Sequence, residues 1–479
     1  MLIPSTFFLV YFLPLLVGVY WLLYRFPRGQ NMWLYAAALF YIWRLHWFLL
    51  CLALLWSAWS LLLGLRLETV RKKGKQGKVL LAAMCLLAVA CMSVFYWLAV
   101  LPLPLRQGSV WLQAQSACPP VLMCLLLLQT LAVFGGVWRG ELSIRRAPCS
   151  ACLSLLFFPL LAGGPPISPQ TLYKQFHRRA PNIHRFSNGC ARFCIGLGKK
   201  ALISSPLSAI SDRIFDLSSI GRSLYCVPAS LAWLGFLAFG LQIYYELSAF
   251  ADMALGLGMM LGYRWSESFH YPYTASSTLH DFWRRWNIPH SSWFQNHYSP
   301  ILESRRKNNL LMMQIVFPCL FMGLSFGRGL SSLLWSAWHI FFLSIEFILH
   351  RQDDQQKRPW KILYVLFVSA LGWIWLRAPD AYQAIEYIKN MFALNQNGFF
   401  SELGAVLFWE NLWPLAAAIL FCFPIAPYLG KKMLSLQPNM RRGQRVLYQV
   451  GYALLLMVVY LLCFTSITQG NVSGFHLFG

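Results

Sequence analysis

Apolar runs of bilayer-crossing length recur from one end of this sequence to the other, and few charges interrupt them. A helix needs roughly 20 apolar residues to cross the hydrocarbon core of a membrane. Backbone polar groups must be satisfied internally in lipid, so runs of that length read as helices. Membrane β-barrels would show short alternating segments instead, and none are visible. The chain has 479 residues, 58% of them hydrophobic and 12% charged, too few charges for the surface of a soluble protein. The expected fold is an all-α polytopic integral membrane protein. Candidate crossings fall near 7–24, 31–43, 47–65, 79–101, 119–137, 230–262, 310–326, 330–349, 362–376, 404–424 and 446–465.

The formal net charge of +24 would suggest nucleic acid in a soluble chain. Here Lys and Arg gather in short connections at 66–78, 139–146, 351–361 and 431–445, whereas 102–118 carries only Arg106. That is the pattern of cytoplasmic loops, and no basic face is free of flanking apolar runs, so the expected partner is membrane lipid and not nucleic acid. Placing the basic clusters inside predicts that both termini face outward. The first run has no basic residue before it, and Arg25 and Arg28 follow it, the reverse of a signal peptide. Cysteines such as Cys51, Cys85, Cys124 and Cys463 lie in apolar runs, where a free thiol behaves as a small hydrophobe. No disulfide framework is implied.

Two stretches break the alternation. Residues 149–229 mix an apolar start with a basic half, and 263–309 is polar, aromatic and basic. Irregular backbone at membrane depth survives only where it lines a cavity or packs in protein, so both are expected to be re-entrant or interfacial helices that build a site. His339 lies in the apolar run Leu333-Leu334-Trp335-Ser336-Ala337-Trp338-His339-Ile340. A titratable group there is a functional candidate, since neutral imidazole can take a proton from an alcohol; a structural histidine bonded to a helix carbonyl is the alternative. Helical spacing puts Ser332, Trp335, Ser336, Leu343, Glu346 and His350 on its face. In Asp281-Phe282-Trp283-Arg284-Arg285-Trp286-Asn287, the two guanidinium groups could meet a phosphate or carboxylate. The amide of Asn287 could donate to a developing oxyanion. The alternative is an interfacial aromatic belt. Glu246 and Asp252 are six residues apart, off one helical face, and are expected to pair with Arg264, Arg284 or Arg285 rather than act as a dyad. Gly323-Leu324-Ser325-Phe326-Gly327 matches a nucleophile elbow only in letters, because that motif needs a strand before it. Cys149 and Cys152 lack a second pair, and His177, His184, Cys190 and Cys194 lack zinc spacing, so no metal is expected.

At these segments the sequence resembles the membrane-bound O-acyltransferase superfamily, in its bacterial alginate O-acetyltransferase-like branch. The resemblance runs through Phe12-Leu13-Pro14, Phe158-Pro159, Ala162-Gly163-Gly164-Pro165-Pro166-Ile167, Gly198-Lys199-Lys200, Gln242-Ile243-Tyr244-Tyr245, Phe282-Trp283-Arg284-Arg285-Trp286, Trp338-His339 and Leu371-Gly372-Trp373-Ile374-Trp375. Their order and spacing carry it more than any one piece. It places the family's invariant membrane histidine on His339 and its second active-site position on Asn287, where the bacterial branch usually has histidine. Relatives usually have glycine after the invariant histidine, and here Ile340 follows.

The resemblance implies a single transmembrane domain over 1–479: N-terminal helices in 1–148, a catalytic core in 149–350 and C-terminal helices in 351–479. It implies a bowl of about eleven spanning helices around a central tunnel that reaches His339. It implies an O-acetyltransferase of the bacterial inner membrane, with His339 and Asn287 catalytic and with Arg284, Arg285, Trp286, Trp338 and Ser336 binding substrate. No bound cofactor is implied; the donor would be acetyl-CoA or another activated acetyl carrier on the cytoplasmic side. The final acceptor would be an exopolysaccharide, reached through a periplasmic esterase-like partner. D-alanyl transfer to a cell-envelope polymer is the alternative within the superfamily. A transporter is the alternative of another class, for which inverted repeats would argue, and none are visible.

Overall fold

The structure, a computed structural model, describes residues 4–73, 75–100, 120–161, 164, 167–177, 179, 182–219, 227–293, 307–326, 330–349, 359–378, 380–436 and 442–472. Outside them lie Arg106 and its neighbours in 102–118, the Ala162, Gly163, Pro165 and Pro166 positions of the family motif, His350 of the His339 face, and most of the 351–361 basic cluster.

Every regular element among the described residues is helical, and a helix underlies each predicted crossing. Their starts follow local chemistry. Proline opens Pro27–Leu45 and Pro148–Leu155, where its missing N–H is no loss. The side chains of His46, Thr278, Asp380 and Ser401 accept a backbone N–H at the starts of their helices. Among the described residues, five helices are long and apolar enough to cross a membrane: Trp47–Val70, Ala229–Met260, Leu330–Ile348, Pro359–Arg377 and Gly443–Thr468. The pair Glu402–Glu410 and Leu412–Phe421, bent by 65°, makes a sixth if it is one span. Their surroundings differ sharply. The most apolar window of Ala229–Met260 is 78% buried in protein and that of Gly443–Thr468 only 6%. A helix with Leu447, Leu455 and Leu461 so exposed calls for an apolar medium around it. The two irregular stretches break into short helices, among them Pro148–Leu155, Pro169–His177, Ile183–Gly198, Ser205–Ser219, Pro272–Ala275 and Leu279–Arg285.

The chain divides into two compact units made of non-contiguous stretches. The first comprises Met1–Gly189, Ala254–Ser266 and Pro289–Gly329. Its core packs Trp56, Leu67, Phe134, Val137, Ile144 and Leu155. The buried Trp56 indole is satisfied by Thr130 Oγ1 at 2.8 Å. A Cβ at Gly64 would lie 2.3 Å from Ile144 Cδ1, so any larger residue there must push the end of the Ile144 side chain aside. The Arg179 guanidinium donates to Tyr20 Oη at 2.9 Å and to Asn31. It also sits 5.4 Å from the centre of the Tyr263 ring.

The second unit comprises Cys190–Met253, Glu267–Ile288 and Leu330–Gly479. Its polar interior corrects one sequence expectation. Glu246 and Asp252 do not use Arg264, Arg284 or Arg285. Lys200, itself buried, donates to both Glu246 oxygens at 2.7 Å, and Ser204 adds a bond at 2.5 Å. Lys199 reaches Asp252 at 2.7 Å and Ser248 at 2.9 Å, and Arg192 bridges Asp252 and Glu267. The cause is close helix packing. At Gly196 a Cβ would lie 2.7 Å from Met253 N and 2.8 Å from Ala249 O, so the helix Ile183–Gly198 lies directly on Ala229–Met260. The π-turn Lys199–Ser204 follows and carries both lysines to the carboxylates.

The Lys200 and Glu246 side chains are only 1% and 2% exposed, so removing one partner strands a buried charge, at about 3–5 kcal/mol. Lys200→Met should therefore lower membrane abundance and unfolding temperature severely, and Lys200→Met with Glu246→Leu should recover much of the loss. Equal instability of the single and double variants in detergent would contradict this pairing.

Candidate active site

His339 stands on the helix Leu330–Ile348, whose buried face carries Ser332, Trp335, Ser336, Leu343 and Glu346, as helical spacing predicts. The imidazole is 0% exposed. Its Nδ1 lies 3.0 Å from the carbonyl oxygen of Trp335, one turn back. A carbonyl can only accept, so Nδ1 carries the proton in this contact. Nε2 is thereby left with its lone pair. It is buried and has no hydrogen-bond partner.

Aromatic rings wall this nitrogen in. The ring centres of Trp335, Trp283 and Trp373 lie 4.4, 5.0 and 6.1 Å from that of His339, Trp283 edge-on. Trp373 stacks on Trp335 at 5.6 Å, and Trp286 follows at 5.2 Å from Trp373. Phe282, Phe269 and Tyr273 surround Trp286 at 5.4, 5.4 and 5.8 Å. The indole N–H groups of Trp286 and Trp335 are buried without a partner. A buried donor left unsatisfied is costly; the Trp335 ring lies against the imidazole, whereas Trp286 joins the same cluster through Trp373. One side of the ring faces backbone. A Cβ on Gly372 would lie 2.3 Å from His339 Cε1 and 2.9 Å from Nε2, so the imidazole occupies the space that any other residue would fill.

The remaining sequence candidates divide into two groups. Trp286 belongs to the aromatic cluster, whereas Arg284, Arg285 and Asn287 lie on the turn that carries it. Arg284 and Arg285 pair with Asp281 of their own helix at 3.3 and 2.8 Å, with side chains 57% and 23% exposed. The helix end is strapped by two backbone bonds, His270 N–H to Arg285 O at 3.0 Å and Ile288 N–H to Ser268 O at 2.8 Å. Between them Asn287 is half-buried and takes φ of 46°, left-handed backbone that asparagine tolerates better than most residues. Trp338 and Ser336 are committed to backbone: the Trp338 indole donates to Val368 O at 3.0 Å and Ser336 to Ser332 O at 2.9 Å. Trp283, Trp373 and Gly372 were not among the sequence candidates. Their signal was present in Phe282-Trp283 and Gly372-Trp373, but nothing in one sequence says that these two segments meet. Among the described residues no His, Cys, Asp and Glu cluster is assembled that could hold a metal ion.

No protein-family model matches the chain. Over 403 residues it is 30% identical to the probable alginate O-acetylase AlgI of Pseudomonas putida, an alignment covering 82% of this chain and 80% of that protein. The same-named protein of Pseudomonas fluorescens is 30% identical over 403 residues, covering 83% and 76%. The peptidoglycan O-acetyltransferase of Helicobacter pylori is 29% identical over 256 residues, covering 51% and 46%.

Gly372→Ala adds one methyl group, which must displace the imidazole. A displacement near 1 Å at a reacting group can lower a rate about 100-fold. The variant should therefore lose roughly that much acyl transfer at normal membrane abundance. Wild-type activity would mean that the imidazole position does not matter.

Proposed function

The chain belongs to the alginate O-acetylase-like branch of the membrane-bound O-acyltransferases, and we propose that it moves acetyl groups onto an acceptor hydroxyl for the O-acetylation of a polysaccharide. The observation that carries this reading is the unpartnered lone pair at His339 Nε2, buried among aromatic rings. Nε2 takes the hydroxyl proton as the acceptor oxygen attacks the acetyl carbonyl. The oxyanion that forms is met by the indole N–H groups of Trp286 and Trp335 and by the Asn287 amide. Its collapse forms the ester and expels the donor's thiolate, which recovers the proton from Nε2. General-base and oxyanion contributions of this kind are each worth roughly 10²–10⁴-fold. The exposed Arg284 guanidinium is suited to phosphates of a donor such as acetyl-CoA.

This reading extends to the cell. The apolar helices, about eleven if every candidate run crosses, hold the site within a bacterial inner membrane. The basic connections face the cytoplasm, where the activated acetyl carrier is found. A periplasmic partner then completes delivery to the polymer.

Deletion of the gene in its own host tests the proposal. Ester-linked acetyl in purified polysaccharide, read by proton nuclear magnetic resonance, should fall to background while polymer yield is kept, and the wild-type gene should restore it. Unchanged acetylation of every envelope and secreted polysaccharide in the deletion strain would overturn it.

A further inference from the structure

We infer that Glu346 is a positioning residue for His339: its buried carboxylate holds the start of the Leu279–Arg285 helix so that Trp283 closes against the imidazole. The inference rests on the catalytic reading of His339 given above.

Glu346 lies two turns beyond His339 on the same buried face and is 6% exposed. One carboxylate oxygen accepts the Leu279 N–H at 2.8 Å and the other the His280 N–H at 3.0 Å. No Lys or Arg pairs with it among the described residues. A lone carboxylate in an apolar helix is expensive, and helix capping alone does not account for it. The same helix has a local cap, because Thr278 Oγ1 accepts the Asp281 N–H at 3.0 Å. Glu346 takes the two amides that this cap leaves over. Thr278 belongs to the helix it caps, whereas Glu346 belongs to the helix that carries His339. The contact therefore sets one helix against the other.

The consequence falls on Trp283, one turn after Leu279. Its ring meets His339 at 5.0 Å and Trp335 at 5.5 Å, both edge-on. Any slip of the first turn carries that indole away and opens the buried Nε2 to water. The two carboxylate bonds thus act on the imidazole at one remove, through the register of a seven-residue helix.

Glu346→Gln is the test. It keeps shape and one acceptor oxygen, but its amide group faces the second N–H, donor against donor. Acetyl transfer should fall roughly 10- to 100-fold, the range for a misplaced reacting group, with KM for the acetyl donor and membrane abundance little changed. Amide exchange, read by mass spectrometry, should rise in the peptide covering 278–284. His339→Gln serves as the control: it should lose activity while that peptide stays protected. Normal transfer by Glu346→Gln at normal abundance overturns the inference. If that variant does not accumulate, the wild type decides. Its Leu279 and His280 amides should exchange as slowly as interior amides of Leu330–Ile348, and fast exchange overturns the inference. Retained activity in His339→Gln would instead sink the catalytic reading, and the exchange data would still tell whether Glu346 holds the helix.

Discussion

The contact between His339 Nδ1 and the Trp335 carbonyl, at 3.0 Å, governs everything else at the candidate site. It settles which nitrogen holds the proton. The other nitrogen keeps its lone pair, buried among indoles and without a hydrogen-bond partner. Each neighbouring feature then acquires a reason. Gly372 is small because the ring lies against its backbone. Trp335 supplies both the carbonyl that orients the ring and a face that covers it. Trp338, the residue just before, turns to the helix Pro359–Arg377 and pins it by a bond to Val368. The histidine, the surface that covers it and the helix behind it are thus set by one run of residues.

The same device recurs away from the histidine. Polar groups at membrane depth must find partners, and close helix approach at glycine supplies them. Gly196 lets Ile183–Gly198 lie against Ala229–Met260, and Lys199 and Lys200 then meet two carboxylates six residues apart. Buried charge here ties helices in register more than it adds stability, since desolvation offsets much of the attraction.

Much of this was legible in the sequence because membrane helices announce themselves by length and apolarity. The buried face of His339 followed from period 3.6 alone, and Ser332, Ser336 and Glu346 lie where that period puts them. What could not be read was long-range. The sequence points Glu246 to the arginines of 264–285, but the residue that decides its partner is Gly196, which carries no charge and brings Lys200 to it. Trp283 and Trp373 are separated by 90 positions and converge only in three dimensions. Asn287 reads from the sequence as a catalytic group that donates to an oxyanion. Its left-handed φ adds a backbone reason for asparagine that spacing could not reveal.

The central claim is that His339 is the base, and its replacement by glutamine tests that claim most directly. Glutamine keeps a similar size and hydrogen-bonding capacity but cannot hold a proton for transfer. Ester acetyl on the polysaccharide, normalised to the protein in the membrane, should fall at least about 100-fold with abundance unchanged. Near-normal acetylation by the glutamine variant would contradict the account.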